Sequence, residues 1–258
     1  AEAGQTVKLL DNTTMDASVT LDKAITLDLN GKTVTNNSAK TRPFYVTADA
    51  FTVTGNGGSI ITPEANTSSF GLFDMQTAGA TLTISDATLA GPTDNGSLIK
   101  CRQANTTVNL TNVNASASGS SAGIVNASTN SFLPLTLNVT GGTYEYNSTY
   151  ATCGPFTTAI NNSVVNFDGV TVKSNRGPII EICGSTATFK NCDFTNTETS
   201  SYYASCIAVS SKSASTQGAA SIDGGTYTAN YPVFVYNSGG KVNINGGTFN
   251  GNESVLKA

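Results

Sequence analysis

The run Ile25-Thr26-Leu27-Asp28-Leu29-Asn30-Gly31-Lys32-Thr33-Val34-Thr35 alternates apolar and polar residues and bends at a glycine. An apolar residue follows the bend three positions later. The alternation has the period of a strand with one buried face. Variants recur to the end of the chain: Leu82 to Leu89, Leu137-Asn138-Val139-Thr140-Gly141-Gly142-Thr143-Tyr144, Ile222-Asp223-Gly224-Gly225-Thr226-Tyr227 and Ile244-Asn245-Gly246-Gly247-Thr248-Phe249.

Aligned on the bend, the units carry Gly31, Gly57, Asp86, Asn112, Gly141, Gly169, Asn191, Gly224 and Gly246. Gly, Asn and Asp are the residues that tolerate a positive φ. A period in the twenties with variable insertions marks a solenoid. Each unit also carries a second apolar run, such as Phe44-Tyr45-Val46, Phe70 to Phe73, Leu98 to Cys101, Ile179 to Ile182 or Val233 to Tyr236. Pro43, Pro155, Pro178 and Pro232 stand just before such runs, where a missing donor does least harm.

No helical period separates the strands, so the pattern predicts an all-β fold: a single-stranded right-handed parallel β-helix of about nine coils, its hand set by the crossover rule. One domain spans 1–258, with 1–22 a capping half-turn and 23–258 the coils. Three inward ladders are expected. The first runs from Leu27 through Val53 and Leu82 to Val242, and the second from Leu29 through Gly55 and Ile84 to Ile244. The third, past the bend, runs from Val34 through Ile60, Leu89 and Tyr144 to Phe249.

Composition narrows the function. Only 12% of residues are charged and the net charge is −4, with 13 basic residues spread thinly. Nucleic acid needs a concentrated basic surface, so it is not an expected partner. No apolar run is long enough to span a membrane. The chain holds no His, so chemistry that needs imidazole is excluded. The five cysteines (Cys101, Cys153, Cys183, Cys192, Cys206) form no CxxC or zinc spacing and read as small core residues. Twelve Asn-x-Ser/Thr sequons matter only if the source glycosylates.

The opening Gly4-Gln5-Thr6-Val7-Lys8-Leu9-Leu10-Asp11, the run from Ile25 to Thr35 and the Gly-Gly-Thr-Tyr/Phe endings resemble pectate-lyase-like right-handed β-helix modules of bacterial secreted and surface proteins. The resemblance implies a secreted or cell-surface location and a groove over one parallel sheet. In the family's enzymes that groove bears carboxylates, which bind calcium or catalyse, with an Arg or Lys base. No motif of this chain matches those catalytic residues one by one.

The outward positions of the first strand offer a flat face of short hydrogen-bonding groups. They include Asn138, Asn166, Asp168, Lys190 and Asp223, the last three on consecutive coils and readable as a salt-bridge ladder. Tyr146, Tyr202 and Tyr203 are candidate sugar-stacking rings. Asp74 and Arg102 are expected at equivalent positions of adjacent coils, with Lys100 nearby. The densest mixed charge, Glu145, Lys173, Arg176 and Glu181, is the candidate catalytic cluster. Two classes of function stay open. One is a non-enzymatic surface module: an adhesin, glycan-binding or structural rod, with a glycan or cell-surface ligand as partner and self-association through its ends. The other is a polysaccharide lyase or glycoside hydrolase acting on acidic or plant-type glycans. A cofactor enters only the second, as calcium.

Overall fold

In the computed structural model the protein is an all-β parallel solenoid. The structure describes residues 1–37, 42–63, 71–93, 96–119, 123–127, 133–149, 154–157, 162–200, 203–213, 216–236 and 239–257. Phe70, Cys153 and Tyr202 lie outside them. No helix among the described residues is long and apolar enough to cross a membrane.

Each coil contributes a strand to three faces. The first face stacks Thr6–Lys8, Ile25–Asp28, Ala50–Thr54, Thr81–Ser85, Thr106–Thr111, Leu135–Thr140 and Val164–Asp168. The second face stacks Thr13–Met15, Thr33–Asn36, Ser59–Ile61, Thr88–Pro92, Asn114–Gly119, Thr143–Ser148 and Thr171–Ser174. The long strands Thr186–Asn196, Ala219–Ala229 and Lys241–Gly251 then run through the corner and serve both faces. The third face carries the second apolar run of each unit, from Val19–Leu21 to Leu256–Lys257. Pairing between coils is parallel throughout, compatible with right-handed winding; the short strand Thr216–Gln217 folds back antiparallel on Ser205–Ser213.

The expected bends are where the backbone turns left-handed. Asn30, Gly31, Asn56, Gly57, Asp86, Asn112, Gly141, Gly169, Asn191 and Gly224 all have positive φ; in the last coil the turn falls on Gly247 rather than Gly246. The third inward ladder is as expected, Val34–Ile60–Leu89–Ala115–Tyr144–Val172–Phe194–Tyr227–Phe249.

The other two ladders need a correction in the first two coils. Leu82 stacks on Phe51, not Val53, and Ile84 stacks on Val53. Leu27 therefore belongs to the column Val7–Leu27–Val53–Ile84–Leu110–Val139–Phe167. The cause is the corner. Leu29-Asn30-Gly31-Lys32 is two residues longer than its counterpart in the third coil, so counting back from the glycine displaces the register by two. Residues 1–22 already place a strand on every face: Val7 pairs with Leu27, Thr13 with Val34 and Val19 with Phe44.

Inward columns of aliphatic and aromatic side chains form one continuous core, each medium aliphatic contributing about 1.5–3 kcal/mol. Phe44 stacks on Phe73 at 5.3 Å, Phe167 on Phe189 at 5.6 Å and Tyr227 on Phe249 at 5.1 Å. Tyr146, proposed from the sequence as a sugar-binding ring, belongs to this core and is fully buried. It alternates with exposed Glu145 and Asn147, and so must point inward. Cys101, Cys192 and Cys206 are buried as expected. Burial pushes the Cys101 thiol up to about 12 and the Cys192 thiol up to about 11, which keeps both protonated and inert.

Candidate functional site

The first face alternates buried apolar residues with outward polar ones. Its register assembles three outward columns. In the third to fifth coils they read Thr81–Thr107–Thr136, Thr83–Asn109–Asn138 and Ser85–Thr111–Thr140. The first of these columns escaped the sequence reading, although an outward Thr two residues upstream of the named positions marks it in each of these three coils. Nine short uncharged hydrogen-bonding side chains thus form a grid, about 4.8 Å between coils and about 7 Å along a strand.

An amide ladder runs through the grid. Asn109 Nδ2 donates to Thr83 Oγ1 (3.4 Å), Asn138 Nδ2 to Asn109 Oδ1 (2.8 Å) and Asn166 Nδ2 to Asn138 Oδ1 (2.9 Å). An Asn side chain has two donors and an acceptor with two lone pairs. Asn138 spends one donor and one lone pair on its neighbours, which leaves one of each for solvent or a ligand. The ladder fixes the rotamers in advance, so a ligand does not have to order them.

Charge returns where the grid ends. Asp168, Lys190 and Asp223 do stack on consecutive coils. Contrary to the salt-bridge reading, no ion pair joins them among the described residues; Asp223 Oδ1 instead accepts from Asn245 Nδ2 at 2.6 Å. Exposed charges gain little from holding two long side chains in one geometry.

The four-residue catalytic cluster does not converge. Glu145 and Lys173 pair in register on the second face. They line a shallow hollow of about 200 Å³ with Asn147, Asn175, Thr195 and Thr197. The chain then turns at Gly177, with φ 62. Arg176 lies at that corner and its Nη1 reaches Glu198 Oε2 at 3.1 Å. Glu181 lies beyond it on the third face, where it accepts from the Tyr236 hydroxyl. Burial raises the Glu181 pKa, with the Tyr236 hydrogen bond opposing. Glu198 was not singled out from the sequence. Burial would raise its pKa, but the Thr199 and Ser200 backbone N–H groups, the Ser200 hydroxyl and Arg176 outweigh that and lower it. It holds Thr199 and Ser200, and the Tyr203 carbonyl accepts from Asn196 Nδ2.

A buried charge cluster occupies the third face. Asp74 Oδ1 accepts from Arg102 Nε (2.7 Å) and Gln76 Nε2 (2.7 Å), and Oδ2 from Arg42 Nη1 (3.2 Å). The residue in register with Asp74 is Lys100, not Arg102 as expected; Arg102 stands two positions on and reaches back. Burial, then the positive Arg102 and Arg42, lower the Lys100 pKa to about 8. Its ammonium donates to Asn126 Oδ1. Arg42 escaped the sequence reading: it precedes Pro43 in the connection to the third face, and neither period nor spacing ties it to Asp74.

The Lys100 shift has a testable consequence. Between pH 8 and 10.5 the unfolded chain binds the proton that the folded chain has released, so this group makes stability rise with pH there. The difference in melting temperature between wild type and Lys100→Gln is expected to move in favour of wild type across that window. A difference that stays flat would show that the amine titrates normally.

Among the described residues, no group of three or more His, Cys, Asp or Glu side chains comes together to hold a metal ion. No family model, no curated protein and no solved structure matches the chain.

Proposed function

We propose that the protein is a non-enzymatic surface module of the cell exterior that recognises an extended, uncharged glycan with its first face. The amide ladder through Asn109, Asn138 and Asn166 carries this reading. It presents preset donors and acceptors at one repeat per coil, flanked by Thr hydroxyls, along the axis of a stiff rod. A polymer of hydroxyl-bearing rings laid along that axis meets the same chemistry at each step. Several weak contacts on one polymer then add as avidity. The Thr, Ser and Asn that dominate the composition suit such a face.

Asp74, the most enclosed carboxylate of the third face, has both oxygens engaged by Arg42, Arg102 and Gln76. That arrangement supports an ion-paired structural role for it rather than one in acid–base chemistry.

A second reading rests on Lys100. An amine with a pKa near 8 beside two Arg side chains is suited to taking the proton next to a uronate carboxylate. This is the polysaccharide-lyase alternative. Binding to a panel of neutral and acidic polysaccharides, measured beside the absorbance of the unsaturated lyase product, separates the two. Recognition by the first face is expected to give binding to neutral polymers without product. Substituting both Asn138→Ala and Asn166→Ala is expected to weaken binding about tenfold or more, since each lost hydrogen bond is worth about 0.5–1.5 kcal/mol. Product formation abolished by Lys100→Gln would favour the lyase instead.

A further inference from the structure

Asp74, Lys100 and Asn126 stand in register on three consecutive coils of the third face, within the strands Phe73–Met75, Ile99–Cys101 and Val125–Asn126. Their chain neighbours Phe73, Met75, Ile99, Cys101 and Val125 belong to the core, so the three alternate outward. Parallel strands lie about 4.8 Å apart, which sets the Lys100 side chain alongside the Asn126 amide. Lys100 Nζ is 2.5 Å from Asn126 Oδ1, closer than the ordinary hydrogen-bond range of about 2.7–3.2 Å. The contact is sheltered from water: Asn126 is 4% exposed and Asp74 6%.

We propose that Lys100 and Asn126 condense to an amide that ties their two coils together covalently. The neutral Lys100 amine attacks Asn126 Cγ. The Nζ–Cγ bond forms and the Cγ–Nδ2 bond breaks. The proton that Nζ sheds goes to the departing nitrogen, which leaves as ammonia. One amide replaces another, so the step needs no oxidant, cofactor or energy source, and escape of ammonia into solvent draws it forward.

The surroundings suit this chemistry. A lysine is a nucleophile when it is neutral, a state favoured by desolvation and by nearby cations. Asp74, the carboxylate in register beside it, gives Oδ1 to Arg102 and Gln76 and Oδ2 to Arg42. Burial and the two guanidinium charges bring the Lys100 pKa down to about 8, so about one amine in ten is neutral at pH 7. A plain amide is a poor electrophile, and fixed contact offsets this: effective molarities of well-oriented groups reach about 10⁵–10⁸ M. The two residues are 26 apart in the chain, so the link closes one full coil.

The linked chain has no amine at position 100. The melting comparison with Lys100→Gln and the lyase chemistry therefore concern the chain before the link forms, while Asn126 keeps one side-chain N–H. Glycan recognition by the first face is independent of the link.

Intact mass spectrometry followed by a tryptic digest tests the proposal. Folded wild type held at pH 8 is expected to weigh less than its sequence by one ammonia and to release a branched peptide joining Lys100 to Asn126. Wild type kept in denaturant is expected to retain its full mass until it is refolded, because the geometry belongs to the fold. Lys100→Arg, which keeps the charge without the reactive amine, and Asn126→Ala are expected to retain full mass, with circular dichroism confirming that each is folded. The wild-type digest decides even where a variant fails to fold. Asn–Gly pairs such as Asn30-Gly31 also lose ammonia by closing on their own backbone, but they yield no branched peptide. Full mass in folded wild type, ammonia loss without the branched peptide, a branch between other residues or a link that forms equally in denaturant overturns the proposal.

Discussion

Gly142→Ala is expected to cost about 3 kcal/mol or more, while Gly169→Asn, at a corner of the next coil, is expected to change stability by about 0.5 kcal/mol or less. Both glycines have positive φ, 83 and 63 respectively. Their surroundings differ. A Cβ on Gly142 would sit 2.1 Å from the Val113 carbonyl oxygen and 2.8 Å from the Val113 nitrogen. Backbone cannot swing aside as a side chain can, so the fourth and fifth coils would have to part. A Cβ on Gly169 meets nothing within 4 Å. Asn112 and Asn191 already occupy its column in the same conformation, with φ 51 and 48, and Asn is the side chain best suited to it. Denaturant midpoints compare the two variants. Because solenoid coils contact only their neighbours, the damage from Gly142→Ala is expected first as loss of hydrogen-exchange protection in Leu135–Thr140 and Thr143–Ser148. Equal effects of the two substitutions would mean that backbone conformation, and not coil-to-coil contact, governs the corner.

Asp74→Asn is expected to cost about 3–5 kcal/mol, the range for removing one partner of a buried ion pair. The Asp74 and Arg42 side chains are 8% and 4% exposed. The substitution keeps the shape and removes the charge that holds Arg42 in a desolvated site. Burial already lowers the Arg42 pKa to about 10, with the Asp74 charge acting against the shift. The double substitution Asp74→Leu with Arg42→Met is expected to recover much of the loss, since an apolar pair of similar volume suffers no such desolvation. Thermal melts at pH 7 decide it. A loss under about 1 kcal/mol for Asp74→Asn would place the carboxylate in solvent, contrary to the geometry.

Much of the fold was legible in the sequence, for a physical reason. A strand with one buried face must alternate, and a tight corner demands a residue that tolerates positive φ. The two signals recur together at Asp86, Asn112, Gly141, Gly169, Asn191 and Gly224. The third inward ladder followed because the distance from corner to Val34, Leu89 or Tyr144 is short and constant. The first two coils misled because Asn30-Gly31 and Asn56-Gly57 sit in longer corners, and a period-2 pattern looks the same after a slip of two.

The candidate site was less legible. Asn138 and Asn166 could be placed outward from alternation alone, but the direction of their hydrogen bonds could not. Glu145, Lys173, Arg176 and Glu181 are close in the chain and fall on different sides of the Gly177 turn. Arg42 meets Asp74 from a connection that no periodicity describes.

The surface that recognises a ligand can be located by nuclear magnetic resonance. The side-chain amide signals of Asn109, Asn138 and Asn166 report on the first face, and that of Asn126, which accepts from Lys100, reports on the third. Titrating in an oligomer of whichever neutral polysaccharide binds is expected to shift the three ladder amides together, with Asn126 unmoved. Shifts at Asn126 with a silent ladder would contradict recognition by the first face and move the site to the Arg42–Asp74–Lys100 cluster.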